Sequence, residues 1–589
     1  MIQNPAPKKL SGGRSRRSFL TAVPTAIATG VAGSRVAALG QPAAAEPIDA
    51  AALAGAERVA GIAFPEAEAL QALPNVRRNR DHVEALRKVA LGPDVEPAFS
   101  FRPVGPVPET AASPSAGTPT ETHATRIAAR RPRGPLPSSP TEIAFLPAVE
   151  LAALIRTRQL SSVQLTRIYL DRLKRIGPTL ECVVTLCEEL ALAQAADVDR
   201  EIGAGRYRGP LHGIPWGVKD LFATKGIPTT WGAKPYERQV FDFDATVVER
   251  MHKAGAVLLA KLTTGELAIN DVWFGGKTRN PWNREQGSGG SSAGPASAAA
   301  AGLVAVAVGT ETGGSIMDPA SRCGVSGLRP TYGRISRHGV MPLRWTMDKV
   351  GPICRTVEDC AMVFDILRGP DGKDDTLVDA PHVLDEHAGL AGLRVGYVEP
   401  EFRQAAGGAT DDERRAWPAY GRLLEDALDL FRKAGVTLVP IALPDLPFDA
   451  VYAMLNAEAG AAFDDLVRTG GHNQLAGKGP RDRANQLRAC RFISAVDYIR
   501  AQRVRSMLAR RMNALLDTCD AFLAPSDSAS VTVTNLTGHP ALTVNAGFVE
   551  HMPRGLMITG RLYDEATVLR VGMAYQRTTS WHEARPPIE

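Results

Sequence analysis

Apolar residues recur along this chain in two periods. Helical spacing marks 51–62, 66–73 and 81–91, then 147–156 and a segment from 162 to 175. In that last segment Ser161 or Ser162 stands at the capping position, and Val163, Leu165, Ile168, Leu170 and Leu173 form the apolar stripe. The same spacing predicts helices over 189–203, 244–253, 411–434, 450–469, 493–517 and 565–578, with Gly255 closing the second of these. Short apolar runs of strand length fall between them, at 257–260, 303–308, 393–398, 436–441, 521–524 and 541–544. A further short strand within 209–220 is flanked by turn residues and ends on Lys219. Helices alternating with short apolar strands predict an α/β fold, a sheet covered by helices on both faces.

The ends of the chain read differently. Ten prolines from 97 to 140 exclude any helix or central strand there, so this stretch is a linker or an arm. It separates a short helical extension, 46–96, from a main domain, 141–589. Residues 1–45 carry Arg16-Arg17 within Ser15 to Leu20, an uncharged apolar run from 18 to 33, and Ala43-Ala44-Ala45. This resembles a bacterial twin-arginine signal with a small-residue cleavage site. It predicts a protein folded before export and then periplasmic or secreted. The run is too short and too rich in Ala, Thr and Gly to span a membrane, and no other segment reads as transmembrane.

Composition narrows the function classes. Lysine and arginine number 68 against 63 acidic residues, a net charge of +5, with no dense basic stripe, which excludes nucleic-acid binding. The seven cysteines are odd in number and form no CxxC pair, so neither a zinc ribbon nor a disulfide framework is expected.

The informative stretch is 287–330, which holds two Gly-Ser clusters, Gly289-Gly290-Ser291-Ser292 and Gly313-Gly314-Ser315. Glycine lets backbone N–H groups approach a reacting atom, and a serine hydroxyl reacts once its proton is removed. Serines in two such turns, 24 residues apart, point to one site built from two loops. Histidine is the commonest base, but a desolvated lysine serves, because burial disfavours its charged form. Lys219 follows apolar Val218 and fits that role; Lys261, after the run 257–260, is its competitor. A second reading takes Gly290-Ser-Ser292-Ala-Gly294 as a nucleophile elbow, with Ser292 attacking, but no histidine lies in a persuasive context. The segment also lacks the Gly-Lys-Ser/Thr ending of a phosphate-binding loop.

The motifs Gly213-Ile-Pro-Trp-Gly-Val-Lys219-Asp220, Gly289-Gly-Ser291-Ser-Ala-Gly294, Gly309-Thr-Glu-Thr-Gly-Gly-Ser315-Ile and Cys323-Gly-Val-Ser-Gly-Leu-Arg-Pro-Thr331-Tyr-Gly-Arg334 resemble the amidase signature family. The family includes the tRNA-dependent amidotransferase (its catalytic A chain), fatty acid amide hydrolase and peptide amidases. The resemblance runs from about 141 to the C-terminus. It implies a central twisted mixed sheet and hydrolysis of a small-molecule carboxylic amide, with esters as further substrates, through an acyl-serine without metal or organic cofactor. By position it implies Lys219 as base, Ser291 as bridging serine after a cis peptide bond, Ser315 as nucleophile and the N–H groups of Thr312, Gly313, Gly314 and Ser315 as oxyanion hole. Asp318 departs from the family, some members of which carry an arginine there that binds a substrate carboxylate. Its charge predicts a preference for neutral or cationic amides, with Ser291 and Asp318 next to substrate; the competing reading pairs Asp318 with Arg322. Glu311, often Asp, is expected to keep a turn-holding role. An exported protein would not meet charged tRNA, which argues against the amidotransferase role. Keeping Lys219, Ser291 and Ser315 together argues against a non-catalytic scaffold. The segment 400–500, with Tyr452, Met454, Glu458 and Phe463, is freest to set specificity. The proline-rich arm can cover the pocket mouth, join two copies as a homodimer or tether the chain.

Overall fold

The computed structural model describes residues 48–91, 97–99, 132, 134–404 and 411–588. The leader expected over 1–45 and most of the proline-rich stretch lie outside the described residues. Among the described residues, eleven strands form one mixed sheet. In chain order they are β1 (Val183–Leu186), β2 (Pro215–Lys219), β3 (Val257–Leu262), β4 (Val306–Glu311), β5 (Ser326–Arg329), β6 (Lys349–Cys354), β7 (Arg394–Val398), β8 (Thr437–Ile441), β9 (Ala521–Pro525), β10 (Ala541–Val549) and β11 (Met552–Gly560). Across the sheet the order is β1-β3-β2-β4-β6-β5-β10-β11-β9-β7-β8. β2 runs parallel to β3 and β4, and β7 runs parallel to β8 and β9. The remaining pairs are antiparallel. Every residue of β2, β3, β4, β5, β6 and β9 is buried, as helices on both faces require. Glu550 and His551, both with positive φ, join β10 to β11 in the tight turn that suits the twist of paired strands.

The α/β sheet read from the sequence is therefore present, with β1, β5, β6 and β11 added to the strands read there and three of the expected segments locally different. The run at 303–308 starts its strand three residues late, at Val306. The expected single helix over 450–469 is three short ones, Phe448–Met454, Asn456–Ala462 and Asp464–Arg468. Phe463 leaves helical geometry between the last two and packs edge-on against Trp231. The segments 66–73 and 81–91 merge into one helix, Glu66–Arg87, that runs through Pro74. Side chains on either side of that proline are tied to one partner segment. Asn485 Nδ2 donates to Gln71 O at 3.0 Å, Asn75 Nδ2 to Pro480 O at 2.7 Å, and Arg488 pairs with Glu68 at 2.9 Å. These contacts hold the axis where local propensity would break it. Among the described residues no helix is long and apolar enough to cross a membrane.

Candidate active site

β2 and β4 lie side by side in parallel, so their C-terminal ends open on the same edge of the sheet. Lys219 is the last residue of β2, and Thr310 the last but one of β4. After β4 the chain makes the turn 312–315 and enters the helix Met317–Cys323. The first Gly-Ser turn leads instead into the helix Ala293–Ala300, whose eight small residues are all buried. Backbone contacts clamp the turns together: Ser292 N donates to Ser315 O at 3.1 Å, and Gly265 N to Ser291 O at 3.3 Å. The Gly290–Ser291 peptide is cis. A Cβ on Gly290 would sit 1.8 Å from Asn270 O, so only glycine fits there.

Lys219 is fully buried and makes no ion pair among the described residues. Its Nζ lies 2.8 Å from Ser291 Oγ, 2.9 Å from Thr310 Oγ1 and 3.0 Å from Ser292 Oγ. Burial pushes its pKa well below the usual lysine value, against a weaker pull upward from Asp348 and Glu311. A neutral amine has two hydrogens to give and one lone pair to accept. Ser292 Oγ already donates to Thr310 O at 3.0 Å and accepts from Thr310 N at 3.2 Å, so it can only accept from the lysine. Ser291 Oγ has no other partner among the described residues, which leaves its proton free to point at the lone pair. The geometry thus separates the two adjacent serines: Ser292 is a buried strut, and Ser291 a hydroxyl poised for proton exchange. Among the described residues no histidine bonds to Ser292, so the elbow reading has no base.

Lys261, the competing lysine, is equally buried but ion-paired with Asp220 at 3.0 Å. It also donates to Thr229 Oγ1 at 2.7 Å and Phe222 O at 2.9 Å, a structural cation with every proton placed.

The second turn is held from below by Glu311. One carboxylate oxygen accepts from Ile316 N at 2.6 Å and Met317 N at 2.9 Å; the other pairs with Arg329 at 2.6 Å and accepts from Asn535 Nδ2 at 2.7 Å. Burial alone would raise this carboxyl, but Arg329 and the N–H donors outweigh it and hold its pKa below the usual value. The turn-holding role expected of Glu311 is thus the one it fills. The N–H groups of Gly313, Gly314 and Ser315, just before those Glu311 takes, donate to nothing among the described residues. Thr312 Oγ1 donates to Asp348 Oδ1 at 2.6 Å, and Asp348 Oδ2 accepts from Leu343 N and Arg344 N, each at 2.8 Å. Replacing Arg329 with methionine strands the buried Glu311 charge. A loss of about 3–5 kcal/mol is expected, read as a fall in unfolding midpoint, whereas breaking the half-exposed Asp318–Arg322 pair with Arg322→Met should cost about 1 kcal/mol or less.

Asp318 sits between the turns. Gly290 N donates to its Oδ2 at 2.9 Å, and Arg322 pairs with its Oδ1 at 2.9 Å. With both oxygens engaged, it ties the first turn to the helix after the second. The expected preference for neutral or cationic amides loses the side chain that carried it. Of the specificity candidates, Met454 and Phe463 are core, and Glu458 accepts from Thr346 and Tyr498. Tyr452 alone reaches the turn: a Cβ on Gly313 would lie 2.3 Å from its hydroxyl. The Arg344 guanidinium stacks 4.2 Å from its ring centroid. Thr310, Arg344 and Asp348 were not singled out from the sequence; nothing local marks them.

The amidase family profile matches residues 164–569. The chain is 36% identical over 486 residues to the glutamyl-tRNA(Gln) amidotransferase A chain of Methylococcus capsulatus, covering 74% of this chain and 98% of that protein. Among solved structures, native peptide amidase from Stenotrophomonas maltophilia superposes with a TM-score of 0.65 at 31% identity, covering 75% of this chain and 98% of that one. The corresponding amidotransferase chain of Thermotoga maritima superposes at 0.63 with 26% identity, covering 77% and 100%.

Proposed function

The chain belongs to the amidase family, and we propose that it is a hydrolase of small-molecule carboxylic amides working through Ser315, Ser291 and Lys219. The observation that carries this reading is a buried lysine with no carboxylate partner among the described residues, 2.8 Å from Ser291 Oγ and beside the turn that ends in Ser315. Neutral Lys219 accepts the proton of Ser291, and Ser291 takes that of Ser315. Ser315 Oγ then forms a bond to the amide carbon, and the carbonyl electron pair moves onto oxygen. The unpartnered N–H groups at 313–315 meet that oxyanion, as electrostatic stabilisation of acyl transfer requires. The proton returns from Lys219 through Ser291 to the nitrogen, the C–N bond breaks, and the amine leaves. Water, deprotonated by the same relay, then releases the acid from Ser315.

Intact mass after treatment with a serine-reactive fluorophosphonate tests the reading. One adduct is expected, kept in Ser292→Ala; an adduct that instead disappears in Ser292→Ala would move the nucleophile to Ser292. A second reading, one component of an amidotransferase complex, rests on the similarity to chains of that name. Release of ammonia from a simple amide by the purified chain alone favours the stand-alone hydrolase. Export is part of the proposal, supported by Arg16-Arg17 and the apolar run behind it. Arg16→Lys with Arg17→Lys is expected to leave the chain unprocessed in the cytoplasm. An unchanged distribution on fractionation would remove export.

A further inference from the structure

A cavity of about 920 Å³ lies next to the catalytic turn, outside the residues assigned any role in the reaction. Its walls carry four aromatic side chains, Phe99, Tyr332, Trp345 and Tyr563, and it is open to solvent on one side. Trp345 is 46% exposed and Phe99 44% exposed, although both are large and apolar. Isolated exposed apolar residues need no explanation, but two on the rim of one concave, aromatic-lined cavity mark a binding surface. A volume of this size accommodates a ligand of several rings.

Two structural links join the cavity to the candidate active site. Asp348 lines the cavity, and the same carboxylate accepts from Thr312 Oγ1 at 2.6 Å, so one side chain touches both the cavity and the turn. The helix Ala529–Thr537 runs along both. Val531 stands 3.5 Å from where a Cβ on Gly314 would be, while Leu536 and Thr537 line the cavity. Five residues of helix span roughly 7.5 Å. The cavity therefore begins within the length of a small molecule from the turn bearing Ser315.

Among the described residues most of its polar groups, both arginines included, already have partners, with His338 Nδ1 an unpartnered exception, so the aromatic faces are its largest recognition elements. Arg337 pairs with Asp374 at 3.0 Å and stacks on Tyr332 with 5.0 Å to the ring centroid. Arg505 gives its protons to Thr346 Oγ1 at 2.8 Å, Thr346 O at 2.7 Å and Leu536 O at 2.6 Å. Tyr332 Oη donates to Trp345 O at 2.7 Å. That bond and the donation from Arg337 fix the backbone of Trp345 and leave its indole free at the rim. Another part of the wall comes from outside the family match. Ala98 N donates to Gln502 O at 3.1 Å, and Phe99 stacks on Tyr498 with ring centroids 6.1 Å apart. A segment N-terminal to the matched residues 164–569 thus supplies part of the wall.

We infer that this cavity is the substrate's distal subsite and that it selects amides bearing a flat aromatic group, held between Phe99 and Trp345. The inference rests on the proposed amide hydrolysis and names its substrate class. Stacking between rings favours offset and edge-on contacts over mere burial, so flat aromatic bodies gain more here than branched aliphatic ones.

The test compares propionamide with 2-naphthylacetamide in wild type, Trp345→Ala and Phe99→Ala, and measures binding of 2-naphthylacetamide by calorimetry to Ser315→Ala with and without Trp345→Ala. The preference for the naphthyl amide, as a ratio of kcat/KM values, should fall about tenfold or more in each rim variant, mainly through KM. Binding to the Ser315→Ala protein should weaken by a similar factor on adding Trp345→Ala. Equal losses on both amides, or a ratio and an affinity that do not move, would overturn the subsite. The calorimetric arm needs no turnover. If neither amide is hydrolysed but naphthyl binding still depends on Trp345, the hydrolase reading fails and the subsite stands.

Discussion

Ser315→Ala should abolish amide hydrolysis and fluorophosphonate labelling while leaving the fold intact. The loss expected is about 10⁴-fold or more in kcat, the scale seen when a covalent nucleophile is removed from an acyl-transfer site. The residue is half-buried, and its side chain makes no hydrogen bond among the described residues. Removing the hydroxyl therefore strands no partner, and the change in stability should be within about 0.5 kcal/mol. The backbone carbonyl that accepts from Ser292 N remains. Ammonia release, an intact-mass labelling trace and a thermal melt of the same preparation check all three parts. Ser291→Ala should cost less, about 10²–10⁴-fold, because it removes a proton relay and not the bond-forming atom. If Ser315→Ala kept more than a few per cent of wild-type turnover, the nucleophile would lie elsewhere.

The parts of this site that the sequence exposes are those that sit in local, spaced motifs. Lys219 ends a short apolar strand, and Ser291 and Ser315 stand in glycine turns whose spacing reads directly from the chain. What it does not expose is made by contacts between distant segments. Thr310 is an ordinary strand threonine until β2 places Lys219 beside it. Asp348 supports Thr312 from 36 residues away, and Tyr452 reaches Gly313 from a helix much further along the chain. Strands follow the same rule. β3 and β9 are apolar runs and are legible, whereas β5 and β6 contain Arg329, Lys349 and Pro352, residues that argue against a buried strand. They are nonetheless buried, and Arg329 is tolerable there because Glu311 neutralises it across the sheet. The helix break at Phe463 and the unbroken helix at Pro74 are likewise set by partners, Trp231 in one case and the segment 480–489 in the other.

The same burial that fits Lys219 for the proposed role of base should make it a liability for stability, and Lys219→Met separates the two effects. Activity is expected to fall by about 10³–10⁴-fold, the contribution of a positioned general base. Stability should move the other way at neutral pH. An unfolded lysine titrates near about 10.4, whereas the buried amine has a pKa well below that. Between the two values the unfolded chain binds one more proton than the folded one, so stability rises with pH across that window. Wild type is therefore penalised most at the acid end, and the penalty fades as pH climbs towards the unfolded value. Methionine carries no proton in either state and has no such slope. The lost hydrogen bonds to Ser291, Ser292 and Thr310 offset part of the gain, about 1 kcal/mol each, but they do so equally at every pH. Subtracting melting temperatures of wild type from those of Lys219→Met should give a positive difference near pH 6 that shrinks by pH 9.5. A flat difference would mean that the lysine keeps its proton in the folded protein, and Ser291 would then have no base. The pH profile of kcat/KM reads the same ionisation independently: activity persists well below the ordinary lysine pKa and falls only as pH drops through the depressed one, where an ordinary lysine base would be silent already.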